Sequence, residues 1–352
     1  MEVAEHYADF LASLGLEVQV LRDFPRTPQV VARLRGTGGG PTLELNGHLD
    51  TVPVEHAEPR IAEGRVWWRG AADMKGGVAA EAVRAIQDAG LRLKGDVLLT
   101  AHGLHEAPTG HGEDLTARMR SGPKGDAALI AEGASDALLI AGLGMGIFEI
   151  EVSRDGESIH ENSAPRGTPN PLLAAARLVG LFEARDAERA RDDLPWTGPE
   201  SYFVGVLQGG DFYNRVPTSC RIVGTRRYAA ERSFEEVSAE IDTLARKVEA
   251  DTGARVDVRF TKTRDGFRLR EDEPLVKALG RAYADATGQQ LPVVGWRSVA
   301  DAPVFNKEGR IPATYHSPGG EGAHADVESV PIDGLVRAAR VYLLTAAYFC
   351  GF

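Results

Sequence analysis

Five short stretches of this 352-residue chain carry side chains able to hold metal ions or move protons. In Leu43-Glu44-Leu45-Asn46-Gly47-His48-Leu49-Asp50 an apolar strand ends in a His and an Asp two residues apart. On an extended chain those side chains share a side, so the carboxylate can fix the imidazole tautomer and raise its basicity toward a metal. Such a pair is also common on plain surfaces, and this stretch alone does not decide. In Trp68–Gly77, Asp73 reads either as an ordinary helix N-cap or as a carboxylate bridging two cations about 3.5 to 4 Å apart. Gly76 and Gly77 lower helix propensity in that first turn and suit a backbone against which something packs tightly. The run Ala101–His111 holds His102, His105, Glu106 and His111 after an apolar strand, where a parallel sheet opens its crevice. At least one of those histidines is expected to be merely solvated. Glu132 follows another apolar run, and His324 lies in the Gly-rich loop Ser317–Asp326. Together His48, Asp73, Glu106, Glu132 and His324 offer two imidazole nitrogens and three carboxylates, a set that suits two Zn²⁺ sharing one carboxylate.

Composition narrows the partners. The chain is 43% hydrophobic and 26% charged, enough to bury about two domains' worth of core. With 40 Lys plus Arg against 51 Asp plus Glu, the net charge of -11 argues against nucleic acid and against anionic membranes. No apolar run reaches the ~18 residues of a membrane span and the amino end lacks a signal-peptide pattern, so a cytoplasmic protein is expected. Cys220 and Cys350 show no metal-type spacing, which leaves His and carboxylates as the ligands.

The elements that must position these residues alternate. Val3, Tyr7, Phe10, Leu11 and Leu14 recur at helical spacing, and 18–21, 30–34, 43–45, 97–100 and 127–131 read as strands. A helix is expected over Gly76–Ala89, stopping at Gly90, and Gly38-Gly39-Gly40 reads as a hairpin turn. The fold class is α/β, a sheet with helices on both faces. From about residue 143 the pattern becomes strand 147–152, helix 171–184, strands 202–207 and 221–227, a helix opened by the Ser233/Glu236 capping box, and strand 256–260. That is a β-α-β-β-α-β unit of the ferredoxin-like kind, inserted in the first domain. The expected division is 1–143, 144–262 and 263–352, the last part adding a helix from Pro274 to Gly288 and a closing helix over about 332–349.

With these pieces in order, the chain resembles the co-catalytic zinc aminoacylase and exopeptidase family that includes acetylornithine deacetylase, succinyl-diaminopimelate desuccinylase and glutamate carboxypeptidase. The likeness rests on Asn46–Pro53, Arg69–Gly77, Glu132 after its strand, Asn214-Arg215-Val216-Pro217 and His324, and it covers nearly the whole chain. It implies a zinc-exopeptidase catalytic domain, with His48 and Glu132 on one Zn²⁺, Glu106 and His324 on the other, Asp73 bridging, and Co²⁺ able to substitute. Asp50 would orient His48. The inserted unit looks like the family's lid and dimerisation domain, which implies a homodimer. His160 would reach the partner's site to stabilise an oxyanion. Asn214 and Arg227 would hold the free carboxylate of a small substrate, and Arg offers a bidentate fork for it. Relatives usually carry another helix before this point, so the first helix is expected to be shortened or the domain edge altered.

One position departs from that pattern. The family usually has two adjacent glutamates after the third strand, the first a general base and the second a ligand, and here His105 precedes Glu106. Three readings compete: His105 takes the proton from water, Glu113 swings in, or the chain binds metal and substrate without efficient turnover. The expected reaction is hydrolysis of an amide in an N-acyl amino acid or dipeptide, with lid closure excluding water. The rivals are a non-catalytic binding protein on the same fold and an aminopeptidase, the latter disfavoured because Arg227 would repel a substrate ammonium.

Overall fold

The computed structural model describes residues 2–78, 84, 86–106, 110–192 and 194–352. In chain order the principal strands are β1 (Glu17–Leu21), β2 (Gln29–Leu34), β3 (Leu43–His48), β4 (Val97–His102), β5 (Ala127–Ile130), β6 (Gly144–Ser153), β7 (Ser201–Gly209), β8 (Ser219–Tyr228), β9 (Arg255–Arg264) and β10 (Ala313–Tyr315). The principal helices are α1 (Glu2–Ser13), α2 (Glu113–Ser121), α3 (Pro171–Arg189), α4 (Phe234–Thr252), α5 (Pro274–Thr287) and α6 (Ile332–Cys350). The chain divides into two units, Met1–Ile140 with Arg268–Val294 and Ala300–Phe352, and Ala141–Phe267 with Gly295–Val299. The fold is α/β, a sheet-centred unit into which a second α+β unit is inserted.

The first unit is built on a six-stranded mixed sheet in the order β1-β2-β4-β3-β5-β10. Every residue of β3, β4 and β5 is buried, as apolar parallel strands require when both faces are covered. Parallel register sets His48 beside His102 and Asn46 beside Ile130, so three strands end together. A charge is nevertheless built into β3. Glu44 is fully buried and takes Thr100 Oγ1–H at 2.6 Å and Gly125 N–H at 3.0 Å, with Arg118 Nη2 at 2.7 Å.

Two sequence expectations change here. Gly38-Gly39-Gly40 is not a hairpin turn, because β2 and β3 are not neighbours; both pair with β4, β2 antiparallel and β3 parallel, so the connection must cross the end of β4. Glycine is needed there for close approach, since a Cβ on Gly40 would lie 2.1 Å from the Cys350 carbonyl oxygen. Helix α1 forms where expected but buries Ala4, Ala8 and Leu11, leaving Val3 and Phe10 exposed. Of the helix expected over Gly76–Ala89, residues 79–83 and 85 lie outside the described residues; its start is a 3₁₀ turn, Lys75–Gly77.

The second unit carries a four-stranded antiparallel sheet in the order β7-β8-β6-β9, the ferredoxin-like arrangement of β6-α3-β7-β8-α4-β9. Helix α3 opens with Pro171 after Asn170, whose Oδ1 accepts from Leu172 N–H. Helix α4 has both halves of the Ser233/Glu236 capping box and ends at Gly253 with φ +69°. Phe148, Ile150 and Val152 of β6 pack with Leu178 and Phe182 of α3 and Ile241 and Val248 of α4 into one core. Edge strand β7 keeps Phe203 and Leu207 exposed. No helix among the described residues is long and apolar enough to cross a membrane.

Candidate metal centre

The common ends of β3, β4 and β5 gather the acidic and imidazole groups. His48, the last residue of β3, is wholly buried, with Nδ1 3.1 Å from the Asp50 carbonyl oxygen and 3.4 Å from Asp50 Oδ1. Asp50 Oδ2 accepts from the backbone N–H groups of His105 (3.1 Å) and Glu106 (2.8 Å), so one side chain both meets His48 and straps the loop after β4. Burial opposes ionisation of Asp50, but the hydrogen bond with His48 prevails and its carboxyl is held at about 2.

Asp73 sits between two histidines. Its Oδ1 is 3.1 Å from His48 Nε2 and its Oδ2 is 3.2 Å from His324 Nε2, so each oxygen faces a different ring. His324, at φ +63°, also lies 3.2 Å from Glu106 Oε1. Ligand atoms of His48, Asp73 and Glu106 lie within 4.8 Å of one another, and so do those of His48, His105 and Glu132. Glu132 Oε2 is shielded from solvent with no hydrogen-bond partner. Burial, and then the Asp73 carboxylate, push the Glu132 carboxyl up to about 8. Glu106 is raised by the same two causes in the same order.

The glycines after Asp73 do what their low helix propensity suggested. A Cβ on Gly76 would come 2.4 Å from the Ala71 carbonyl oxygen, and one on Gly77 would come 2.1 Å from that of Ala131, next to Glu132. The turn that carries Asp73 is thereby pressed onto the end of β5.

Sequence reasoning missed two buried carboxylates. Glu328 accepts from Arg69 Nη1–H (2.8 Å) and the N–H of Gly70 (3.0 Å) on Oε2, and from the N–H of Ala72 (2.8 Å) and Asp73 (2.9 Å) on Oε1. It therefore ties the Asp73 loop to the His324 loop. Asp301 is fully buried and its Oδ2 meets His102 Nε2 at 3.0 Å and His105 Nδ1 at 2.7 Å. The His105 ring lies parallel to that of His48, with centroids 4.1 Å apart. Of the three loop histidines, His102 is buried, His105 is partly buried and His111 is exposed. Glu113, the alternative base, is exposed on the first turn of α2 and accepts from its own neighbour, His111 N–H, at 2.7 Å.

The other expected residues lie in the second unit. His160 and Asn214 face each other across the short pairing of Ile159–His160 with Arg215–Val216, with His160 Nε2 3.1 Å from Asn214 Nδ2. Asn162 N–H donates to His160 Nδ1 at 3.2 Å. Neighbouring strand residues diverge: Arg226 is fully buried and paired with Glu200, whereas Arg227, on the opposite face of β8, has a shielded Nη1 with no hydrogen-bond partner. Burial and then Arg297 lower the Arg227 pKa.

The donor set fits divalent cations. Three carboxylates crowd two imidazoles, one buried carboxylate oxygen lacks a partner, and cations would relieve both conditions. Acetylornithine deacetylase of Myxococcus xanthus is 30% identical over 340 residues, covering 92% of this chain and 84% of that protein. Succinyl-diaminopimelate desuccinylase of Paracoccus denitrificans is 28% identical over 356 residues, covering 95% and 90%. The crystal structure of aminopeptidase PepT from Bacillus cereus matches the fold with a TM-score of 0.79 at 19% identity, covering 99% of this chain and 92% of that one. The model of peptidase family M20/M25/M40 matches residues 45–348, and the chain belongs to that family.

Proposed function

We propose that this protein is a metal-dependent hydrolase that cleaves an amide bond in a small N-acyl amino acid or dipeptide. The observation that carries this reading is Asp73, whose two oxygens face the Nε2 atoms of two different histidines. In it His48 and Glu132 would hold one Zn²⁺, Glu106 and His324 would hold the other, and Asp73 would serve both. Such a pair, when bound, acidifies water and polarises the amide carbonyl. His105 takes one proton from the attacking water while the hydroxide oxygen bonds to the carbonyl carbon. As the C–N bond breaks, its electron pair stays on nitrogen, and His105 returns the proton to the departing amine. The products are a carboxylic acid and an amine, and the acid's proton passes to the amine to leave a carboxylate and an ammonium.

His160 is exposed, which suits it to stabilising the oxyanion from a second copy of the chain. The exposed Phe203 and Leu207 on edge strand β7 favour a homodimer through this unit. Arg227 and Asn214 favour substrates with a free carboxylate, and the crowding of Arg227 by Arg297 disfavours an ammonium group there. The pairing of His105 with a buried carboxylate favours the catalytic reading over a binding protein without turnover.

The test is a panel of N-acetyl and N-succinyl amino acids and dipeptides, assayed with purified protein loaded with Zn²⁺ or Co²⁺. Turnover of at least one carboxylate-bearing member is expected, and its loss on chelation. Two bound metals with no turnover on any member would refute the proposal. Light scattering decides the dimer: a monomer with full activity removes His160 from the mechanism.

A further inference from the structure

His105 lies among the metal-ligating groups but is held from behind. The group behind it, Asp301, has its side chain fully out of solvent, and a single oxygen, Oδ2, meets both His105 Nδ1 at 2.7 Å and His102 Nε2 at 3.0 Å. An ionised oxygen accepting two N–H bonds satisfies its own burial, whereas a protonated one would meet a ring nitrogen with no proton to share. The backbone around Asp301 is clamped as well, because the hydroxyl oxygen of buried Tyr315 accepts from Ala300 N–H (3.1 Å) and Ala302 N–H (2.9 Å). The carboxylate is not occupied as a helix cap: Asp301 stands at the N-cap position of Ala302–Val304 with no side-chain capping bond. Although burial works against ionisation, His105 and His102 hold this carboxyl well below the usual carboxylate range.

We propose that Asp301 is the positioning residue for His105: it takes the Nδ1–H, fixes the ring parallel to His48, and leaves Nε2 as the unprotonated nitrogen. An imidazole with Nδ1 tied to a buried carboxylate keeps one tautomer and one orientation, and the carboxylate stabilises the imidazolium that forms when the ring accepts a proton. His102 completes the arrangement from the other side of the same oxygen, its Nδ1 shielded and without a partner. The inference rests on the reading of His105 as the proton acceptor, and adds a residue 196 positions away in sequence that fixes its tautomer and ring orientation.

The experiment compares Asp301→Asn, His105→Ala and the double variant in the metal-loaded enzyme, measuring kcat, KM and metal content together. Asp301→Asn keeps the side-chain volume and removes the charge. Its kcat is expected to fall by about 100-fold, with KM within about twofold and metal content unchanged. In the double variant the loss should be no greater than that of His105→Ala alone, the non-additivity of two groups that act as one. A double variant slower by the product of the two losses would overturn the proposal, as would an unchanged kcat in Asp301→Asn. Loss of one metal equivalent from Asp301→Asn would also overturn it, by making His105 a ligand. Should Asp301→Asn fail to fold, ¹⁵N spectra of the wild-type imidazoles decide: an Nδ1–H tautomer at His105 is expected, and an Nε2–H tautomer refutes the proposal. If the wild-type enzyme turns over no substrate, the proposed function fails, while the tautomer measurement still tests the positioning.

Discussion

At the scale of single residues, the ring of donors rests on Glu328 as much as on the candidate ligands themselves. Its two oxygens receive four donors from residues 69–73, including the N–H of Asp73 itself. Glu328→Gln would turn an NH₂ toward one pair of those donors and leave Arg69 with a neutral partner. The expected result is a 10- to 100-fold loss of metal affinity and a loss of about 3 kcal/mol in stability. Competition with a chelator and urea unfolding measure the two, and unchanged metal affinity would show that Asp73 needs no such support. The five candidate ligands were legible because each stands at a strand end or in a Gly-rich loop, where an ionisable side chain interrupts an apolar or turn pattern. Asp301 and Glu328 were not. An Asp before Ala302-Pro303 reads as a helix cap, and a Glu after Ala325-Asp326-Val327 reads as a solvated loop charge; only the tertiary fold buries them.

Elements set how closely those residues meet. Gly77 lets the turn after Asp73 press against the carbonyl of Ala131, beside Glu132. Gly77→Ala would force a methyl to within 2.1 Å of that oxygen unless the backbone moves. It should cost about 1 to 3 kcal/mol by overpacking and should weaken metal binding by displacing Glu132 from Asp73. Thermal unfolding with and without Zn²⁺ reads both effects, and a variant with wild-type Tm and metal content would contradict the argument. Local patterns predicted this pressure and the capping box of α4, because both are written in neighbouring residues. They misread Gly38-Gly39-Gly40, since a glycine run looks alike whether it turns between paired strands or carries the chain across a third. They found α1 and its buried Leu11 but not the buried Ala4 and Ala8, small residues that permit closer packing than the exposed Val3 and Phe10 of the same pattern.

For the whole molecule, the clustered carboxylates tie folding to pH and metal. In the metal-free protein Glu132 titrates at about 8 in the folded state against a reference of 4.5. A raised carboxyl contributes stability that is fully present below the unfolded value and is lost as pH climbs through the folded one. His48 is also raised above its reference, where Asp50 and Asp73 outweigh burial, so its contribution falls in the same direction above 6.5. The Tm of chelator-treated protein should therefore drop by ~5 °C between pH 5 and pH 8, and saturating Zn²⁺ should reduce the drop. A Tm that is flat or rises across that window without metal would overturn the assignment of these groups as an unneutralised cluster. The ferredoxin-like insertion was legible at this scale because its order of strands and helices follows the rule for that unit. The crossing of β4 depends on which strands pair, which a single sequence does not state.

The bond set around Glu328 has a kinetic meaning too. It joins the loop of Asp73 to the loop of His324 through protein atoms alone. These bonds need no cation to form. Cations that these residues would hold are then expected to be captured in a second-order encounter with a standing site, and to escape as the ligands let go and not as the chain unfolds.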